Sequence, residues 1–166
     1  MKIGLLITGI IISLSGAAQP SVKLYGYSQV ITPGMVPQRE VPNENGGRSF
    51  KTPASYTHYY VYTRSSSMIK ASEIYVSGTW YVANEKTIGL TPVVIAQPET
   101  KTLVPFTKLK VLQVEMGDTA RNGPLISSAL RKMMASNDLI VGYTWKGKKY
   151  YASLKKWIVL EPLHAQ

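Results

Sequence analysis

Between Leu139 and Leu154 the chain reads LIVGYTWKGKKYYASL, and this stretch constrains the fold more than any other. Apolar residues alternate on both sides of Lys146-Gly147, the pattern of two strands joined by a tight turn. A two-residue loop there puts Leu139, Val141, Tyr143, Trp145, Tyr150, Ala152 and Leu154 on one face. The other face carries Thr144, Lys149, Tyr151 and Ser153, with Lys155 just beyond. A slip of one residue exchanges the two faces, so turn and pattern specify the register together.

The same texture recurs upstream. Tyr56 to Thr63 is dense in aromatic and β-branched residues and reads as a strand. Glu73 to Ala83 folds back at Ser77-Gly78. A two-residue loop there opposes Ile74 to Tyr81 and Tyr75 to Trp80, scattering apolar residues over both faces. A three-residue loop ending in a left-handed Gly78 gathers Ile74, Val76, Trp80 and Val82 on one face, and is the expected register for a sheet with one covered side. Further strands are predicted at Pro92 to Ala96 and Val111 to Met116, with Pro98 and Pro105 bounding the connection, and a buried one at Trp157 to Leu160.

One segment breaks the β pattern. Pro124 suits a first helical position, and Leu125, Ile126, Ala129, Leu130, Met133 and Met134 repeat at helical spacing. A helix is expected over about 124–136, stopping near Asn137, with Arg131 and Lys132 toward its C-terminal end, where cations complement the dipole. Its methionines read as core packing. The fold class is therefore α+β and β-dominant, a mainly antiparallel sheet or sandwich-like domain with one amphipathic helix over one face.

The N-terminus reads differently. Met1-Lys2, the apolar run Ile3 to Leu14 and the small residues Ser15-Gly16-Ala17-Ala18 have the order of a secretory signal peptide, so residues 1–18 are expected to be removed, leaving Gln19 first. The apolar run is too short for a span, which needs about 20 residues, and no transmembrane span is expected after its removal. Residues 19–53 hold half of the ten prolines and read as a largely disordered arm, except that Lys23 to Ile31 has the residues of a short docking strand. A single domain is expected over 54–163, with a tail at 164–166. The chain has no cysteine, so disulfides and thiolate chemistry are excluded and core packing and hydrogen bonding must hold the domain.

Charge is the clue to partners. The formal net charge is +10. Eight cations (Arg121, Arg131, Lys132, Lys146, Lys148, Lys149, Lys155, Lys156) face the single acid Asp138 between residues 121 and 157, a net of +7. Lys149, Tyr151, Ser153 and Lys155 interleave cations with an aromatic and form the candidate ligand-binding stripe. Its ordinary alternative is a set of lysines that keeps an exposed strand from aggregating.

No catalytic constellation emerges. His58 and His164 have no ligand cluster around them, so no metal site is expected. Ser67 to Lys70 and Ser153 to Lys156 match a serine-x-x-lysine pattern without the motifs that accompany it in penicillin-binding enzymes. There is no P-loop or dinucleotide fingerprint, and no catalytic residue or cofactor is assigned. The expected function is an exported, periplasmic or secreted, non-catalytic binding or accessory domain of the bacterial cell envelope. Its basic C-terminal hairpin would contact an anionic envelope component or another exported protein. A structural subunit of an envelope assembly is the alternative, and a small secreted hydrolase using His58 with a carboxylate is a weaker one. Nucleic acid ranks last as a partner, because export removes the chain from the cytoplasm.

Overall fold

The computed structural model describes residues 19–33, 55–96, 98–119 and 123–164. The expected leader, residues 1–18, and most of the expected arm, residues 34–54, lie outside the described residues. Along the chain come β1 (Val22–Thr32), β2 (Tyr56–Ser65), β3 (Lys70–Val76), β4 (Thr79–Ile88), β5 (Val93–Ile95), β6 (Lys101–Val104) and β7 (Lys110–Thr119). They are followed by α1 (Ser128–Ser136), β8 (Leu139–Trp145), β9 (Lys148–Leu154), β10 (Ile158–Val159) and β11 (Leu163–His164). The β-dominant α+β class expected from the sequence is the one observed.

One curled sheet runs in the order β10-β1-β2-β7-β4-β3-β8-β9, and β5 and β6 form a separate hairpin. β10 and β11 lie parallel to β1, and the other pairs are antiparallel. The curl brings β1 and β9, from opposite ends of this order, against each other. Gly26 permits the approach: a Cβ there would stand 2.7 Å from Leu154 and 2.9 Å from Leu139. The strand expected at Lys23 to Ile31 is longer, Val22–Thr32, and pairs with β2 from Val22 opposite Ser65 to Ile31 opposite Tyr56. The sheet thus contains residues N-terminal to position 54.

Because the sheet is curled, it has an inside and an outside; the inside is filled and parts of the outside are covered. Leu24, Val61, Ile74, Val76, Val114, Leu139 and Val141 fill the inside. Outside, the β5–β6 hairpin brings Leu103 and Val104 onto Tyr25, Tyr27 and Tyr62. Tyr27 donates from its hydroxyl to the Leu103 carbonyl at 2.6 Å. Elsewhere outside, α1 seats Leu130 against Trp80 and Ile140.

Two-sided burial explains where sequence expectation and structure part. The Ser77-Gly78 loop has two residues, not three: Val76 opposes Thr79, Tyr75 opposes Trp80 and Ile74 opposes Tyr81. Both loop residues have positive φ, 49° and 93°, as the hairpin turn that matches strand twist requires. The apolar residues that looked scattered are used on both faces, Ile74 and Tyr81 inside, Tyr75 and Trp80 under the helix. The Lys146-Gly147 turn has the expected two-residue form, and Leu139 opposes Leu154 as the pattern required.

The helix starts at Ser128, four residues after Pro124. Ser127 caps it, its Oγ accepting from Leu130 N at 3.1 Å. Leu125 is consequently 99% exposed and Ile126 is exposed too, outside the stripe expected to bury them. Asn137 ends the helix where expected, but Arg131 and Lys132 lie before its last turn. The final apolar stretch buries only Leu160, whereas Ile158 and Val159 are exposed on the two-residue β10.

Candidate functional site

The stripe on the last hairpin is built by register. Gly142 lies opposite Tyr151 on one side and Glu73 on the other, so Glu73, Gly142 and Tyr151 form one row across β3, β8 and β9. A bulge in β3 between Ala71 and Glu73 turns Ala71 inward and Glu73 outward. Gly142 leaves the space that Glu73 occupies, since a Cβ there would stand 2.6 Å from the Glu73 Cγ.

Lys149 closes this group. Its Nζ donates to Glu73 Oε2 at 2.7 Å, with the lysine side chain 42% exposed and the carboxylate 12%. The ammonium also stands 5.8 Å from the centre of the Tyr151 ring, whose edge meets Trp80 at 6.2 Å. Burial, and then the neighbouring Glu73 carboxylate, push the Tyr151 hydroxyl up to about 12. Glu73 Oε1 and Trp80 Nε1 are buried without a hydrogen-bond partner.

The four stripe residues therefore do not converge on one point. Lys149 and Tyr151 sit together, with the lysine charge held by Glu73. Ser153 is exposed opposite Ile140, and Lys155 lies past the end of β9, its carbonyl accepting from Asp138 N at 3.2 Å. At about 3.3 Å per residue, Lys149 and Lys155 are roughly 20 Å apart along the chain. Glu73 was the residue that sequence reasoning missed. Its signal was a lone acid among the β-forming residues of Ala71 to Val76, but its partners come from strands far along the chain.

Five of the cations without an ion pair lie instead toward one end of the sheet. The β8–β9 turn puts Lys146 and Lys148 there, exposed, with Lys146 stacked 4.7 Å over the Trp145 ring. The ladders set Lys70 opposite Thr144 and Lys110 opposite Ser65 at the same end. Lys23, opposite Arg64, lies one residue in from it. None of these cations is ion-paired among the described residues.

Two cavities lie where neighbouring strands diverge. One, about 350 Å³, lies between the ends of β3 and β4 and is lined by residues including Ile69, Lys70, Glu85, Lys110 and Leu112. Ser67 and Lys70 of the serine-x-x-lysine match both border it, on a stretch that is bend and strand rather than helix. The other, about 290 Å³, separates β2 from β7 and holds His58 beside Gln113 and Glu115. There His58 is exposed, its ring meets Tyr60 edge-on at 4.5 Å, and Glu115 accepts from Gln113 Nε2 at 2.9 Å. Among the described residues no group of three metal-ligating side chains converges, and no helix is long and apolar enough to cross a membrane.

No protein-family model, no curated protein and no solved structure matches this chain.

Proposed function

We propose that this protein is an exported, non-catalytic binding domain of the bacterial cell envelope that holds an anionic envelope component against its last hairpin. The observation that carries the reading is the set of unpaired cations at one end of the sheet: Lys146 and Lys148 on the turn, with Lys70, Lys110 and Lys23 at or near the same end of β3, β7 and β1. Cations without carboxylate partners raise the local potential and draw an anionic surface into contact. The contact is placed at the turn and not along the whole stripe, because Glu73 already neutralises Lys149.

The test is binding to dextran sulfate and to phosphatidylglycerol vesicles as salt is raised. Affinity is expected to fall with salt for whichever source is right, and Lys146→Glu with Lys148→Glu is expected to weaken it at least tenfold. Lys149→Glu with Lys155→Glu is expected to weaken it less. Binding that ignores both salt and the turn lysines overturns the reading.

A further inference from the structure

The larger cavity has a structural origin that also defines what fits it. The β3–β4 ladder stops at Glu73 opposite Val82, while β4 runs on to Ile88 paired only with β7. Beyond the bulge, the Ala71 N–H donates not to β4 backbone but to the Glu85 carboxylate at 2.6 Å. The strands diverge and leave a wedge of about 350 Å³, open to solvent.

Its walls are mostly apolar. Ile69 is buried beside it, Leu112 is half-buried, and Met68 stands 73% exposed at its edge. Two exposed ammonium groups, Lys70 and Lys110, border the wedge without an ion-pair partner, and its one carboxylate, Glu85, is engaged by the Ala71 backbone. An apolar slot with a few polar groups at its rim, in the range of 300–1,000 Å³ typical of small-molecule sites, is what a ligand pocket requires. At about 30 Å³ per water-sized group the wedge has room for roughly ten heavy atoms. A slot that tapers toward the end of a ladder admits an unbranched arm more readily than a flat ring system.

We propose that this wedge binds a small straight-chain carboxylate, with the acyl arm between Ile69 and Leu112 and the head group at Lys70 and Lys110. This site shares Lys70 and Lys110 with the cation cluster of the polyanion contact but does not require the turn lysines Lys146 and Lys148.

Calorimetric titration of the full chain with hexanoate, octanoate, decanoate and myristate tests it. Affinity should rise about fourfold per added methylene while the arm is being buried, then flatten between decanoate and myristate as the wedge fills. Lys70→Gln with Lys110→Gln should abolish the preference for decanoate over decanol. Leu112→Trp and, from the exposed side, Thr87→Trp should each fill the wedge and weaken decanoate at least tenfold. At least Thr87→Trp should keep the wild-type melting temperature, since its side chain is exposed. Lys146→Glu with Lys148→Glu should leave the decanoate titration unchanged, which separates this site from the polyanion contact. A flat chain-length series, or wild-type decanoate affinity in a folded Thr87→Trp variant, overturns the proposal.

Discussion

Glu73 shows what a single residue acquires from its surroundings. In the sequence it is one acid in a strand; in the fold it lies over Gly142, salt-bridged to Lys149 and close to Tyr151. Tyr151 records the effect. A phenol is neutral when protonated, so burial and the nearby carboxylate both favour the protonated form, and its value rises from near 10 to about 12. The folded state thus holds this proton more tightly than the unfolded chain. The stability linked to it is complete below pH 10 and is lost as pH climbs through about 12. Burial also raises Tyr27, Tyr60 and Tyr62. An ultraviolet titration of tyrosinate should therefore resolve a late class among the 11 tyrosines, and Tyr151→Phe should remove one phenol from it. An unchanged late class in that variant would show that Tyr151 does not titrate late. The stripe residues Lys149 and Tyr151 were legible as neighbours on one strand face; Glu73 was not, because it lies 76 residues before Lys149.

At the scale of elements, local pattern located nearly every strand and misplaced boundaries wherever tertiary packing supplied the deciding contact. The helix is the clearest case. Helical spacing from Pro124 to Met134 is real in the sequence, yet Ser127 captures the Leu130 N–H and the first turn forms only after it. Stability should follow the structure. Leu130, 3% exposed between Trp80 and Ile140, should cost about 2–4 kcal/mol when cut to alanine. Ser127→Ala should cost about 1 kcal/mol, whereas Leu125→Ala should stay within about 0.5 kcal/mol of wild type. Urea unfolding measures all three, and a Leu125→Ala cost equal to that of Leu130→Ala would place Leu125 in the packed stripe after all. The short strand β6 escaped the sequence reading altogether. Its four residues Lys101–Val104 lie between prolines and gain their order from burying Leu103 and Val104 on the tyrosines of β1 and β2.

The whole molecule is held in its curl by the contact of β1 with β9, which no ladder secures, so packing has to close it. Gly26 is the place to test this. A valine there would drive Cβ and two methyl groups into Leu154, Leu139 and Trp157, the nearest only 2.7 Å from the Cβ position. Overpacking of this kind typically costs about 1–3 kcal/mol. Gly26→Val should lower the melting temperature and speed amide exchange in both β1 and β9, while the β3–β4 turn keeps its protection. Faster exchange spread evenly over all strands would point to general destabilisation and against a closure held at this seam.

The sequence alone determined the class of the molecule: strand-length alternation, a Lys-Gly turn of defined register and one helically spaced stripe act over a few residues, and local sterics and hydrophobic periodicity suffice to read them. It also located the excess positive charge, which is a matter of counting. Only the tertiary structure decided which faces are covered. A sheet that curls buries its inside on itself and lets a helix and a hairpin cover parts of its outside, so the rule of one apolar face, sound for a half-buried sheet, selects the wrong turn at Ser77-Gly78. The same curl decided which charges are free, by pairing Lys149 with Glu73 and gathering Lys70, Lys110, Lys146 and Lys148 toward one end. It opened the wedge between β3 and β4 as well, because whether two strands stay paired depends on partners that only the fold brings together.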